Sequence, residues 1–139
     1  MKKYIVVTGG AGFIGSNLIE LLLNKTNYKI ISIDNYSSGS KKNHLSSKRV
    51  RYIKCNTIQI FKMLNRYSKK IESLFHFGEF ARIFQSFQNF DTCIQSNTEG
   101  SKAVFKFCLD NKIKLIYSAT SASLGNKGND ENLSPYAFT

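Results

Sequence analysis

The chain has 139 residues, a formal net charge of +11, 42% hydrophobic residues, nine Gly, one Pro, three Cys and no Trp. This length suits one domain, which typically runs about 100–200 residues. The apolar share excludes wholesale disorder, and the low Gly and Pro counts exclude a collagen-like or low-complexity chain.

In chain order, residues 4–7 (Tyr-Ile-Val-Val) form a short apolar, β-branched run suited to a buried parallel strand. Lys2 and Lys3 precede it, but Thr8, Gly9 and Gly10 break the run, and no cleavage pattern of a secretory signal follows. Ser16, Asn17 and Glu20 interrupt the next apolar stretch, so no span of about 20 apolar residues exists for a membrane helix. Ile14, Leu18, Leu21 and Leu22 fall at helical spacing and predict one buried face. Residues 29–33 read as a second strand ending at Asp34, residues 35–48 as a polar loop, and residues 50–53 as a third strand. Ile60, Leu64 and Tyr67 give another helical stripe. A fourth strand at 73–77, a long helix at about 93–109, a fifth strand at 114–118 and a polar loop at 125–134 complete the pattern. Strands alternating with helices imply βαβ units. The expected fold is therefore α/β: a Rossmann-like, doubly wound parallel sheet with helices on both faces. Ligands bind such sheets at the carboxyl ends of the strands.

Cys55, Cys93 and Cys108 are widely spaced and form no Cys/His cluster. Neither a zinc site nor a disulfide framework is expected, and no other metal site is assigned. A reducing cytoplasm fits this usage. The basic residues are scattered, with only short pairs such as Lys41-Lys42 and Lys69-Lys70. A nucleic-acid binder needs a clustered basic face with stacking aromatics. Phe80, Phe84, Phe87 and Phe90 read instead as helix and loop packing, so the charge is assigned to solvated surface.

The strongest local signal is Thr8-Gly9-Gly10-Ala11-Gly12-Phe13-Ile14-Gly15, a glycine turn between a strand and an amphipathic helix. A phosphate must approach the backbone closely there, and the helix N-terminus offers free N–H groups to it. Asp34 ends the next strand, about 20 residues on, where a carboxylate accepts from ribose hydroxyls. That carboxylate would repel a 2′-phosphate, which favours NAD; Lys41 and Lys42 leave NADP as the minority reading. The competing explanation is a glycine turn that merely packs a helix on a strand.

These residues, with the following Asp34-Asn35, resemble the extended short-chain dehydrogenase/reductase superfamily, and within it the NAD-dependent epimerase/dehydratase family, including UDP-glucose 4-epimerase-like enzymes of nucleotide-sugar metabolism. The resemblance runs from Tyr4 to Thr139 and implies a set of roles. Gly9, Gly12, Phe13, Ile14, Gly15, Asp34, Asn35, Phe77 and Gly78 would bind NAD. Asn56 stands where the family usually has an Asp that contacts adenine. Asn97, in an Asn-x-x-Gly with Gly100, would lie near the nicotinamide half. Glu79 replaces a small residue, and its carboxylate is unfavourable beside a pyrophosphate unless it points away or pairs with Arg82. His76 is expected to be a hydrogen-bonded structural residue. Counting back from Gly125 puts Thr120 at the catalytic Ser/Thr position, with Ser121 as the adjacent alternative; Leu124 replaces the usual aromatic. Tyr136, in Ser134-Pro135-Tyr136, looks like the general base of a Tyr-x-x-x-Lys motif. A free phenol has a pKa of about 10, and the motif's Lys lowers it.

The sequence ends at Thr139, one residue before that Lys, and family members are considerably longer. The resemblance therefore implies an incomplete NAD-binding domain, cut after about the fifth strand, with the substrate-binding part absent. The expected function is the NAD-binding portion of a nucleotide-sugar epimerase or dehydratase that oxidises a sugar hydroxyl transiently, without turnover by this chain alone. The strand edge with Leu115 and Ile116 would be open, and self-association is expected. The alternative is a non-catalytic NAD-binding or interaction module, which has no need of Tyr136.

Overall fold

The computed structural model describes residues 3–121 and 134–139. Five strands form one parallel sheet: β1 (Tyr4–Thr8), β2 (Lys29–Asp34), β3 (Val50–Lys54), β4 (Ile71–His76) and β5 (Lys114–Tyr117), in the spatial order β3-β2-β1-β4-β5. The chain winds outward from β1 to β3, then crosses back to lay β4 on the other side of β1. The reversal falls between β1 and β4, so a crevice opens where their carboxyl ends diverge.

Alternation along β1 feeds two layers. Ile5 and Val7 pack with Ile19, Leu22 and Ile30 under α1 (Phe13–Lys25). Val6 packs on the opposite face with Ile31, Ile33, Leu74, Ile60 and Leu64 of α2 (Ile60–Leu64), and Val104 and Phe107 of α5 (Ser101–Asp110). Burial on both faces explains why β1 and β2 lack polar alternation. Between β4 and α5 lie α3 (Ile83–Gln88), α4 (Phe90–Ile94) and a wide π-turn at Gln95–Gly100. A short α6 (Pro135–Phe138) follows Ser134.

Three sequence expectations need correction. First, α1 buries Gly15, Ile19 and Leu22, while Ile14 and Leu21 are exposed. Gly15 is pressed against the carbonyl of Gly9, where any Cβ would overlap it, and this contact sets the rotation of the helix. Second, the long helix at 93–109 is three segments, α4, the π-turn and α5. The widened turn carries Asn97 inward and brings Gly100 against the Thr57 hydroxyl, again with no room for a Cβ. Third, Phe84, Phe87 and Phe90 are not packing residues: they are 71%, 58% and 54% exposed. The inward side of α3 is instead the small, hydrogen-bonding Ser86.

Cys55, Cys93 and Cys108 are free and buried. Among the described residues, no helix is long and apolar enough to cross a membrane, and no group of His, Cys, Asp and Glu is placed to hold a metal ion.

Candidate functional site

The crevice begins at the turn after β1. Gly9 takes a left-handed φ of +69°, and a Cβ there would stand 2.5 Å from the Phe77 carbonyl oxygen, so no other residue fits. The Gly9 amide donates to the Ile33 carbonyl at 2.8 Å, tying the turn to β2. Gly12 caps α1 without any side-chain partner for the helix amides. The first turn of this 13-residue helix therefore presents its N–H groups and positive dipole end outward. Phe13 and Ile14 flank that opening with exposed side chains.

Asp34 closes the same turn from β2. Its Oδ2 accepts from the Ala11 amide at 2.9 Å, and its Oδ1 from the Tyr36 amide at 2.7 Å. Tyr36 reaches this position through a left-handed φ of 63°. Each carboxylate oxygen keeps acceptor capacity beyond its one amide. Asp34 faces a groove shared with Gly9, Gly12, Asn35, Ser37 and Ser38. Asn35 is exposed, and its side chain accepts from the Ser37 amide at 2.9 Å. Lys41 and Lys42 do not line this groove.

The far wall follows β3. Asn56 caps a short 3-10 turn, its Oδ1 accepting from the Ile58 amide at 3.1 Å. Its neighbours Cys55 and Thr57 line the groove, together with Ser96. No sequence signal marks these three, because none belongs to a spaced motif.

The other side of the crevice is the end of β4. Thr8 Oγ1 accepts from the Phe77 and Gly78 amides at 3.2 and 3.1 Å, and lies 2.6 Å from His76 Nδ1. Gly78 passes so close to Gly9 that its Cβ would sit 3.0 Å from the Gly9 nitrogen. His76 is fully buried, and its Nε2 lies 3.0 Å from Ser101 Oγ. Burial pushes the imidazole down to about 4, so it is neutral and structural. The Glu79 carboxylate is held by hydroxyl donors at the end of β4. Its Oε1 accepts from Ser101 Oγ at 2.6 Å, and Tyr117 donates to the same carboxylate. Arg82 is not among its ion-pair partners. Burial raises the Glu79 pKa, and burial followed by the Glu79 charge pushes the Tyr117 hydroxyl up to about 12.

A larger cleft of about 560 Å³ continues from the glycine turn. It brings together Gly9, Gly12, Phe13, Ile14, Gly15, Phe77, Glu79, Asn97, Thr120, Ser121 and Tyr136, residues spread over the whole chain. Its volume falls in the ~300–1,000 Å³ range of small-molecule sites. Tyr136 is carried by α6, which Ser134 caps by accepting from the Ala137 amide at 3.1 Å and Pro135 starts. The Tyr136 amide donates to Ser86 Oγ at 3.3 Å, which ties α6 to α3. Asn97 lines the cleft but is 4% exposed and already engaged: it clasps the backbone of Phe80 and donates to Thr139 Oγ1 at 3.0 Å. Leu124, Gly125 and the polar stretch up to residue 133 lie outside the described residues.

Residues 5–139 match the NAD-dependent epimerase/dehydratase family. The chain belongs to the NAD-dependent epimerase/dehydratase family. It is 32% identical to an ADP-L-glycero-D-manno-heptose-6-epimerase of Brachyspira hyodysenteriae, over 97% of this chain and 45% of that protein. Among solved structures, it superposes on UDP-N-acetylglucosamine 4-epimerase of Methanobrevibacter ruminantium, in complex with UDP-N-acetylmuramic acid, with a TM-score of 0.84 and 34% identity. That match covers 99% of this chain and 47% of that one. It also superposes on UDP-glucose 4-epimerase of Thermotoga maritima, with UDP-glucose, with a TM-score of 0.76 and 28% identity, covering 86% of this chain and 38% of that one. The chain thus spans about half the length of the epimerases it matches or less. The Rossmann-like expectation is met in strand order and parallel sense.

Proposed function

We propose that this family member is the NAD-binding portion of a nucleotide-sugar epimerase or dehydratase, and that residues 1–139 belong to its NAD-binding Rossmann domain. One observation carries the reading. The groove of Asp34 and the cleft of Thr120 and Tyr136 adjoin at the glycine turn, sharing Gly9, Gly12, Phe77 and Glu79 as walls.

The donor set suits the group. Free amides at the start of α1 take the pyrophosphate, Asp34 accepts from the adenosine ribose hydroxyls, and the Phe77–Gly78 backbone forms the floor. When bound, oxidised NAD supplies a hydride acceptor. The chain's own part of the reaction lies in two side chains. Thr120 hydrogen-bonds the reacting sugar oxygen and orients it. Tyr136 Oη receives the proton of that hydroxyl as general base. Ser121 is the neighbouring hydroxyl able to take the role of Thr120. Asn97 supports the nicotinamide half through the Phe80 backbone that it holds. Three buried free thiols favour a reducing compartment, the cytoplasm.

Calorimetric titration with NAD of the chain and of Asp34→Ala tests this reading. We expect binding that falls at least tenfold in the variant. Equal affinities, or none in the folded parent chain, would remove Asp34 and the turn as the cofactor site.

A further inference from the structure

The hydrogen bonds leading to Glu79 have a direction. Thr8 Oγ1 accepts two backbone amides, from Phe77 and Gly78. Both of its lone pairs are taken, so its own proton goes to His76 Nδ1. The neutral ring then carries its proton on Nε2 and donates it to Ser101 Oγ. Ser101 in turn gives its proton to Glu79 Oε1. The Tyr117 hydroxyl is a second donor to the same side chain. Every bond in this relay ends by pointing a proton at the Glu79 carboxyl, and hydrogen bonds of that sense favour the anion and offset part of the burial that raises its pKa.

This anion is not sealed in the core. Glu79 lines both the groove of Asp34 and the larger cleft, and in the larger cleft Tyr117, its hydrogen-bond donor, and Tyr136 line the wall with it. It is the one acidic residue among those lining the larger cleft; the other charged one is Arg82. In the reading proposed above, on which this inference rests, the redox end of the dinucleotide lies near Tyr136, because hydride leaves the carbon whose hydroxyl Tyr136 deprotonates. An oxidised nicotinamide ring is a cation, and a reduced ring is neutral. A fixed anion beside it lowers the energy of the first and not of the second.

We propose that Glu79 is a charge-selective residue of the cofactor site, holding the oxidised nicotinamide ring in preference to the reduced ring. The same arrangement gives a carboxylate beside the glycine turn a use: it answers the one part of the ligand that is positive.

The test is the ratio of NADH to NAD+ dissociation constants for the chain, NADH by its fluorescence and NAD+ by calorimetry. We expect Glu79→Gln to lose about tenfold of the preference for NAD+, with NADH affinity little changed, and Glu79→Asp to keep most of it. Tenfold corresponds to a rise of about 30 mV in the potential of the bound two-electron couple. Glutamine still offers Ser101 and Tyr117 an acceptor, and Glu79→Ala is a second neutral variant with the same expected ratio. An unchanged ratio in the neutral variants overturns the inference alone. This includes equal weakening of both forms, because both rings carry the same carboxamide, and a plain hydrogen-bonding role would affect them alike. Failure of the folded parent chain to bind either form overturns the inference together with the site reading.

Discussion

The side-chain amide of Asn97 clasps the main chain of Phe80: Oδ1 accepts from the Phe80 amide at 2.7 Å and Nδ2 donates to the Phe80 carbonyl at 3.0 Å. Asn97 thereby satisfies both backbone groups of a residue 17 positions away and fixes the path of the chain after Gly78. Removing the amide strands two half-buried backbone groups, at about 1–3 kcal/mol for each partner left unsatisfied. We expect Asn97→Ala to lose about 2–4 kcal/mol of stability in urea unfolding. Asn97→Asp should retain the Phe80 amide contact and lose less, and a loss equal to that of alanine would count against the clasp.

Two glycines of the turn separate folding from binding. A Cβ on Gly15 would overlap the Gly9 carbonyl, whereas one on Gly12, which lines the crevice, would stand 3.2 Å from it. Gly15→Ala should destabilise the chain by about 2–3 kcal/mol through overpacking. Gly12→Ala should fold nearly as well as the parent and bind NAD at least tenfold more weakly. Thermal unfolding and calorimetry on the pair check this; equal stability would show that the α1 contact yields.

Acid should loosen the fold through His76. Its folded pKa, about 4, lies below the ordinary 6.5 because of burial. The unfolded chain therefore binds more protons between pH 4 and 6.5, and stability falls as pH drops through that window. The full effect is on the order of 3 kcal/mol, complete by pH 4 and absent above 6.5. Glu79 opposes it: its raised pKa gives the folded state the extra proton above the ordinary 4.5. In Glu79→Gln the loss of stability between pH 6.5 and 4 should be steeper than in the parent; chemical denaturation at several pH values measures it, and a shallower slope would contradict the assignment.

β5 has one described neighbour, β4, and carries half-buried Leu115 and Ile116 along the outer side of the sheet. Such an edge invites pairing with another strand. We expect concentration-dependent self-association in size-exclusion chromatography, reduced by Ile116→Lys. A monomer at all concentrations would set the idea aside.

The strands and the glycine turn are written locally, which is why they are readable from sequence. Tyr4-Ile5-Val6-Val7 needs only its β-branched, apolar character to be a doubly buried strand, and Asp34 needs only its place at the end of the next one. The rotation of α1 is not local. Ile14, Leu18, Ile19, Leu21, Leu22 and Leu23 surround that helix, so no single stripe stands out, and the phase is chosen by Gly15 meeting Gly9. The roles of Asn97, Cys55 and Thr57 depend on what the crossover places beside them. The three exposed phenylalanines mislead for the converse reason: apolar character in a short helix reads as burial, but α3 buries Ser86.

The reversal of strand order between β1 and β4 also bears on how the site comes into being. Thr8 and His76, whose side chains join the two halves of the crevice, are 68 residues apart in sequence. The intervening segment holds β2 and β3 as a compact βαβ continuation of β1, with contacts that close much shorter loops. Closing the long loop is entropically slower, so the crevice is complete only once β4 has docked. Cofactor added during refolding would then be taken up only after β4 has docked, making occupancy a timer for the last long-range closure of the chain.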